Sequence, residues 1–187
     1  MDVLSRYEPI VENYEAFLSA CERPLPSAVR VNTIKATVER AKRGLAESGI
    51  ELDPVEWHPR LFRVPDDQPG ANWPYSHGWI HGQEEVSAIP ATVLDPDPGE
   101  RVWDATAAPG SKTTQLAALM DDRGLLVATD SNLGRLSALR SNTERLGVTN
   151  VAVTNEDARN HSLKPFGGEP YDKVLVDVPC SCEGTIR

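Results

Sequence analysis

The second half of the sequence alternates between short apolar runs with the composition of buried strands and longer segments with the leucine spacing of helices. Strands separated by helices pair in parallel through right-handed crossovers, and the helices cover both faces of the sheet. The sequence therefore predicts an α/β fold with a doubly wound parallel sheet, whose ligands bind beyond the carboxyl ends of the strands. The pattern predicts strands at 101–105, 125–130, 151–155 and 173–178, and helices at 112–120 and 132–146.

The first half has a different pattern and predicts a small α/β N-terminal domain at residues 1–72. Residues 73–99 shift to proline, glycine and aromatic side chains and then to a helix at 84–94, so we interpret them as a connecting segment. A second domain is predicted at residues 100–187. The elements expected in the N-terminal domain are a helix at 3–21, a strand at 28–32, a helix at 37–48 and a strand at 61–64.

Composition excludes several classes of protein. With 40% hydrophobic residues among 187, the chain has enough apolar material for an ordinary domain and is neither disordered nor fibrous. Its 19 basic and 28 acidic residues give a formal net charge of −9, so no bulk attraction to nucleic acid is expected. Residues 1–98 hold 9 basic and 16 acidic residues, and residues 99–187 hold 10 and 12, so neither half is a basic platform. The even spread of acidic residues favours a surface hydrated at high salt, as in a halophilic organism.

The three cysteines, Cys21, Cys180 and Cys182, are too few for a disulfide framework and indicate a reducing compartment. The N-terminus is charged throughout, and no run approaches the roughly 20 apolar residues of a membrane span. We therefore expect a cytoplasmic, monomeric protein. No metal is expected, because one residue separates Cys180 from Cys182, and His77 and His81 lie among glycines and prolines that disfavour a helical ligand pair.

Each predicted strand of the second half ends in, or is soon followed by, a carboxylate. A single aspartate would mean little, because aspartate is common in loops and at helix N-termini. Four such residues in register are expected to converge on one crevice, since the carboxyl ends of parallel strands lie at the same edge of a sheet. These residues are Asp104, Asp130, Asp157 and Asp177.

A loop of small residues follows the strand at 101–105 and leads into a helix. Small side chains let the backbone approach a ligand closely, and the helix start presents free N–H groups. A P-loop does not fit, because Ser111 separates Gly110 from Lys112. A dinucleotide fingerprint does not fit either, because it needs three spaced glycines and this loop has only Gly110. The remaining candidate is a nucleoside ligand without a pyrophosphate, with its ribose held by Asp130. S-adenosylmethionine fits this description better than NAD or ATP. The loop consists of Thr106, Ala107, Ala108, Pro109, Gly110, Ser111 and Lys112.

Two strings in the second half resemble motifs of a known family. Asp104–Thr113 (DATAAPGSKT) resembles the first motif of the Sun/Fmu-type (Nol/Nop/Sun) RNA cytosine-5 methyltransferases, and Asp177–Thr185 (DVPCSCEGT) resembles their fourth. Gly82–Ser87 and Arg30–Thr33 are similar to segments upstream, so the resemblance covers nearly the whole chain. It implies an RNA-contacting N-terminal domain followed by a Rossmann-like S-adenosylmethionine methyltransferase sheet. The similarity is closest to archaeal members that act on tRNA.

The resemblance implies a role for each matching residue. The loop from Thr106 to Lys112 would wrap the methionine part of S-adenosylmethionine, and Thr106 stands where the family usually has cysteine. The remaining cofactor contacts implied are Asp130 at the ribose, Asp157 beside the adenine, Asp177 between cofactor and target base, and Arg135 in the helix after Asp130. Three residues of the N-terminal domain would contact RNA phosphate or ribose, although a solvated strand end explains them equally well: Arg30, Asn32 and Lys35.

The resemblance also implies a mechanism. A cysteine thiolate adds to carbon 6 of cytosine and makes carbon 5 nucleophilic enough to take the methyl group. In this RNA family the nucleophile follows a fifth strand, expected beyond Arg187, and Cys180 assists in product release. We therefore expect an incomplete sheet and the N-terminal portion of a methyltransferase, inactive alone. Two alternatives stay open: Cys180 is itself the nucleophile, or the chain binds S-adenosylmethionine or RNA without turnover.

Overall fold

The computed structural model describes residues 3–64 and 70–178, and for Val3 only the backbone. Of the described residues, those from 27 to 178 form one compact unit, and those before residue 27 belong to another. Because Cys180 and Cys182 lie outside the described residues, the predictions that concern them are not addressed by the structure.

The predicted helix at 3–21 is interrupted. A 3-10 helix spans Val3–Tyr7, and the first α-helix, α1, spans Tyr14–Cys21. Pro9 lies between them and has no backbone N–H to donate to a continuing helix. Asn13 then starts α1 by accepting a hydrogen bond from the backbone N–H of Ala16 at 2.9 Å. Helical periodicity is therefore present on both sides of a break that the proline explains.

The compact unit begins with an antiparallel sheet, here called the first sheet. Its strand order is β2-β3-β1-β4, and its apolar core packs against the helix α2. The strands predicted at 28–32 and 61–64 and the helix predicted at 37–48 are confirmed within one residue at each end. The bounds are β1 Ser27–Val31, α2 Val38–Glu47, β2 Asp53–Pro54, β3 Leu61–Val64, α3 Trp73–Ser76 and β4 Ile80–Gly82.

The second sheet is parallel, as predicted, with strand order β7-β6-β5-β8. The chain moves outward from β5 to β7 and then returns to the other side of β5, so the order reverses there. Ligands of parallel sheets bind at such reversals. The bounds are α4 Glu85–Leu94, β5 Arg101–Asp104, α5 Ser111–Leu119, β6 Leu125–Thr129, α6 Leu133–Leu146, β7 Val151–Thr154 and β8 Lys173–Leu175, with 3-10 helices at Ala158–Asn160 and Lys164–Phe166.

Helices α5 and α6 reach the second sheet through residues that their spacing already marks as apolar. In α6, Leu136, Leu139 and Leu146 are buried, and each fully buried leucine contributes about 2 kcal/mol. Leu133, the first residue of α6, is 66% exposed, although the spacing also places it on that face. In α5 the small side chain of Ala117 is fully buried, so the helix lies close to the strands.

The segment predicted to connect two domains contacts both sheets. Its strand β4 pairs with β1 in the first sheet, and its helix α4 packs beside α5 and β8. The boundaries proposed at residues 72 and 99 stay a prediction.

Gly78, which lies between α3 and β4, packs closely against the end of α6. Gly78 has φ +73°, and a Cβ atom there would lie 2.0 Å from the carbonyl oxygen of Arg145. Gly49 has nearly the same φ, +75°, but a Cβ atom there would meet nothing within 4 Å. We expect Gly49→Ala to lower the free energy of unfolding by about 1 kcal/mol, the cost of the left-handed backbone, and Gly78→Ala to lower it by about 3 kcal/mol.

Urea denaturation of the two variants and the wild type measures this difference. Equal losses would contradict the close approach of Gly78 to Arg145.

Candidate functional site

The four carboxylates predicted from the sequence follow four strands of the second sheet at its carboxyl edge. Asp104 is the last residue of β5 and is 1% exposed, and Asp130 follows β6 and is 5% exposed. Asp177 follows β8 with a half-exposed side chain, and Asp157 follows β7. Because β5 lies between β6 and β8, the loop after β5 has a carboxylate on either side.

The centre of the loop after β5 is formed by small, buried residues. Ala107 and Ala108 are each 4% exposed, and the backbone N–H of Ala107 donates to the carbonyl of Thr129 in β6 at 2.8 Å. Gly110, with φ +104°, precedes α5, and a Cβ atom there would lie 2.7 Å from Cδ1 of Leu139. Glycine is thus required both by the backbone conformation and by the packing of α6 against the loop.

Asp130 fastens this loop to the start of α6. Its Oδ2 accepts a hydrogen bond from the backbone N–H of Ala108 at 3.1 Å, and its Oδ1 accepts one from Asn132 at 2.9 Å. Arg135 lies 3.4 Å from Oδ2 and also donates to the carbonyl of Ala108. Asn155, after β7, donates to the Asp130 carbonyl at 2.9 Å. A carboxylate has about four lone-pair sites, so Asp130 can still accept a ligand hydroxyl.

Asp177 approaches the same loop from the β8 side. Its Oδ2 lies 2.8 Å from Nζ of Lys112, which also donates to Oγ of Ser87 at 3.2 Å. The hydroxyl of Thr106 donates to the Asp177 carbonyl at 2.9 Å and accepts from its N–H at 3.0 Å. The structure therefore brings both ends of the predicted loop into contact with Asp177: Thr106 bonds its backbone, and Lys112 pairs with its carboxylate.

Asp104 sits beneath the loop. Thr113 donates to its Oδ2 at 2.6 Å, and burial raises the pKa of its carboxyl to about 6, against the smaller lowering effects of Thr113, the Thr106 backbone and Lys112. The sequence predicted Asp104 as one of four carboxylates but gave Thr113 no role. The signal for this pair in the sequence is a hydroxyl side chain, Thr113, nine positions after the strand-end Asp104 and in the first turn of the next helix.

Asp157 is placed one strand farther from the loop. Its side chain accepts from the backbone N–H of Arg159 and pairs with that guanidinium at 2.6 Å, which lowers the pKa of the Asp157 carboxyl to about 2. A contact between Asp157 and adenine stays a prediction. Pro109 is exposed, and its carbonyl accepts from Asn142 at 3.0 Å.

The residues predicted to contact RNA lie in different environments. Arg30 is 2% exposed and Asn32 is 1% exposed, and Asn32 donates to the carbonyls of Gly78 and Leu146. In this structure neither side chain is accessible to a phosphate or a ribose. Lys35 is exposed, although its Nζ donates to the Arg145 carbonyl at 2.7 Å, so an RNA contact stays a prediction for it.

Within the described ranges, 3–64 and 70–178, no group of histidine, cysteine, aspartate and glutamate is arranged to hold a metal ion. In the same ranges no helix is long and apolar enough to cross a membrane.

Solved structures with this architecture define the class. The chain superposes on a methyltransferase homologue from Pyrococcus horikoshii with a TM-score of 0.82 and 36% identity, over 94% of this chain and 57% of that one. NSun6 from the same organism, solved with SFG, shares the fold at a TM-score of 0.84 and 20% identity, over 98% of this chain and 72% of that one. The fold and the anchored loop are those of a Rossmann-like methyltransferase, the class that uses S-adenosylmethionine.

Sequence comparison then gives the family. Residues 91–187 match the family described as 16S rRNA methyltransferase RsmB/F, and residues 3–85 match the N-terminal domain of 16S rRNA methyltransferase RsmF. The chain belongs to this RsmB/F family.

Curated relatives are longer than this chain. Ribosomal RNA small subunit methyltransferase F of Vibrio parahaemolyticus is 41% identical over 94% of this chain and 37% of its own length. The protein of that name from Aliivibrio fischeri is 43% identical over 92% of this chain and 38% of its own length. The chain thus spans under two fifths of these relatives. The archaeal, tRNA-acting assignment made from the sequence is not supported, because these relatives are bacterial and named for ribosomal RNA.

The raised pKa of Asp104 predicts a pH-dependent stability. Folding raises this pKa from 3.8 to about 6, so between those values the folded state keeps a proton that the unfolded chain releases. Stability contributed by this group therefore falls as the pH rises through that window and is constant above it. We expect the unfolding free energy of the wild type to fall by about 2 kcal/mol relative to Asp104→Asn between pH 4 and pH 7.

Urea denaturation of both proteins across this range measures the difference, and groups unaffected by the substitution cancel. A difference independent of pH would contradict the raised pKa.

Proposed function

We propose that this chain carries the S-adenosylmethionine site of an RNA cytosine-5 methyltransferase that acts on 16S ribosomal RNA. The observation that carries the proposal is the loop after β5, tied on one side to Asp130 and on the other to Asp177 through Lys112. Membership of the RsmB/F family supports the reaction class, and the names of the relatives support the RNA.

The residues around the loop suit this cofactor. Its ribose hydroxyls need acceptors, which Asp130 supplies, and its amino and sulfonium groups are cationic, which suits an edge lined by carboxylates. Arg135 is half exposed and can leave Asp130 when a ribose arrives. We assign the methionine part to the loop from Thr106 to Lys112 and the adenine to the side of Asp157. When bound, the cofactor supplies an electrophilic methyl group.

The cytosine chemistry needs a thiolate near this edge. The thiolate adds to carbon 6, carbon 5 takes the methyl group, and loss of the carbon 5 proton with elimination of the thiol restores the aromatic ring. The target base must leave any stack to reach the site. We propose that Cys180 assists the elimination step and that the nucleophile is a second cysteine of the intact protein.

Ribosomal RNA replaces tRNA as the proposed substrate. The chain has a net charge of −9, so phosphate contacts from this part of the protein are expected to be few and local. Recognition by shape, or by other parts of the intact protein, fits this charge better than a basic platform.

Asp130 provides the test of the cofactor site. We expect Asp130→Asn to weaken S-adenosylmethionine binding at least about tenfold, because a charged acceptor for the ribose is lost. Asp122→Asn is the matched control: Asp122 also accepts from backbone N–H groups, those of Thr149 and Asn150, but it precedes β6 and so lies at the opposite edge of the sheet. Isothermal titration calorimetry measures both.

Unchanged binding by Asp130→Asn would remove Asp130 from the ribose site. Equal weakening by Asp122→Asn would mean that the charge change acts without regard to position.

Release of tritium from carbon 5 of cytosine tests the reaction and the substrate. We expect the intact protein to release tritium from [5-³H]cytosine in 16S rRNA and not in tRNA. A covalent adduct with RNA that contains 5-fluorocytosine is expected to persist in Cys180→Ser if a second cysteine is the nucleophile.

Loss of the adduct in Cys180→Ser would identify Cys180 as the nucleophile. Cofactor binding without tritium release from any RNA would favour a protein that binds without turnover.

A further inference from the structure

Ser111, the first residue of α5, is hydrogen-bonded to two residues of the first sheet. The hydroxyl of Ser111 lies 3.0 Å from Nε2 of His81 in β4. The carbonyl of Ser111 accepts from Nη2 of Arg30 in β1 at 3.5 Å and from Oγ1 of Thr114 at 3.1 Å. Ser111 is part of the proposed cofactor loop, so two residues outside the second sheet contact that loop.

The hydrogen-bond partners of His81 fix its protonation. Nη2 of Arg145, near the end of α6, lies 2.9 Å from Nδ1 of His81. A guanidinium can only donate, so Nδ1 must accept, and the ring proton is on Nε2, where it is donated to Ser111. Nη1 of Arg145 donates to the carbonyls of Tyr75 at 2.7 Å and Ile80 at 3.1 Å, which fixes the guanidinium.

The surroundings of His81 keep the ring neutral. It is 5% exposed, and burial, with smaller contributions from Arg30 and Arg145, lowers the pKa of the imidazole to about 3. A protonated ring would also direct an Nδ1–H at the Arg145 guanidinium. The geometry and the charges therefore agree on one donor, Nε2–H, aimed at the Ser111 hydroxyl.

Displacement of Ser111 would change the contacts of two carboxylates of the site. The next residue, Lys112, pairs with Asp177, and the one after it, Thr113, donates to Asp104. Because the three residues are consecutive in the first turn of α5, moving the first moves the other two.

We propose that His81 is a positioning residue for the cofactor site: by donating to Ser111 it holds the first turn of α5 where the loop binds S-adenosylmethionine. This inference rests on the proposed function, since it acts through the loop assigned to the cofactor. The first sheet thereby contributes to cofactor affinity without touching the cofactor.

A matched control separates positioning from general adhesion between the sheets. Arg63 of β3 forms a bidentate ion pair with Glu85 of α4, with contacts of 2.6 and 3.0 Å. This pair also joins the first sheet to an element packed beside the second, but it does not involve Ser111. Arg63→Met therefore removes a contact of similar span with no link to the cofactor loop.

The experiment compares His81→Phe, His81→Gln and Arg63→Met in the intact protein. We expect His81→Phe to raise the dissociation constant and the KM for S-adenosylmethionine about fivefold, with kcat at saturating cofactor nearly unchanged. His81→Gln restores affinity, because its amide nitrogen occupies the place of Nε2 and donates. Arg63→Met binds like the wild type. Thermal unfolding identifies the temperature at which every variant is folded, and binding is measured there.

Wild-type affinity in His81→Phe, failure of His81→Gln to restore affinity, or equal weakening by Arg63→Met would each overturn the inference. Asp130→Asn measured alongside distinguishes this from failure of the proposed function. If Asp130→Asn loses affinity and His81→Phe does not, only the positioning role is wrong. If neither loses affinity, the assignment of the loop to the cofactor is wrong.

Discussion

The arrangement of the proposed site depends on the hydrogen bond between the Asp130 carboxylate and the backbone N–H of Ala108. Asp130 is buried and fixed by two N–H donors, so it is a rigid anchor on the β6 side of the loop. On the β8 side, Asp177 is half exposed, and a pair of this kind with Lys112 contributes at most about 1 kcal/mol. On that side the loop is held mainly by the two hydrogen bonds between the Thr106 hydroxyl and the Asp177 backbone.

The buried guanidinium of Arg30 explains why a residue expected at an RNA surface belongs to the interior. Its Nε donates to Gln83 at 2.6 Å and its Nη2 donates to Thr114 at 3.0 Å, and within the described part of the chain no carboxylate pairs with it. Burial, with Arg60 and Arg145 nearby, lowers its pKa to about 9. A charge is buried without a counterion only where several acceptors are fixed in place. Here they are supplied by Gln83, the residue after β4, and by α5, so the guanidinium links the first sheet to a helix that packs on the second.

The sequence could predict the second sheet because its strands and helices have distinct periods and its aspartates follow the strands. It could not predict the burial of Arg30 and Asn32, because alternation along one strand indicates two faces but not which element covers them. The same limit applies to His81, whose position among glycines argued only against a metal. Local rules do explain the break at Pro9. The contacts that tie Ser111 to the first sheet come from His81, 30 positions earlier in the chain, and from Arg30, 81 positions earlier. No local sequence pattern encodes contacts over such separations.

The apolar surface beside β8 bears on which part of the reaction this chain can carry. Within the described residues β8 pairs with β5 alone, and Val174, Val176 and Val178 are 42%, 57% and 63% exposed. On α4, Val86 and Val93 are also exposed, at 61% and 77%. Exposed apolar strand edges promote association between chains. The β6 side of the site, in contrast, has a buried carboxylate, Asp130, that is hydrogen-bonded to the loop. The β6 side is therefore the part of the site to which we assign the cofactor ribose.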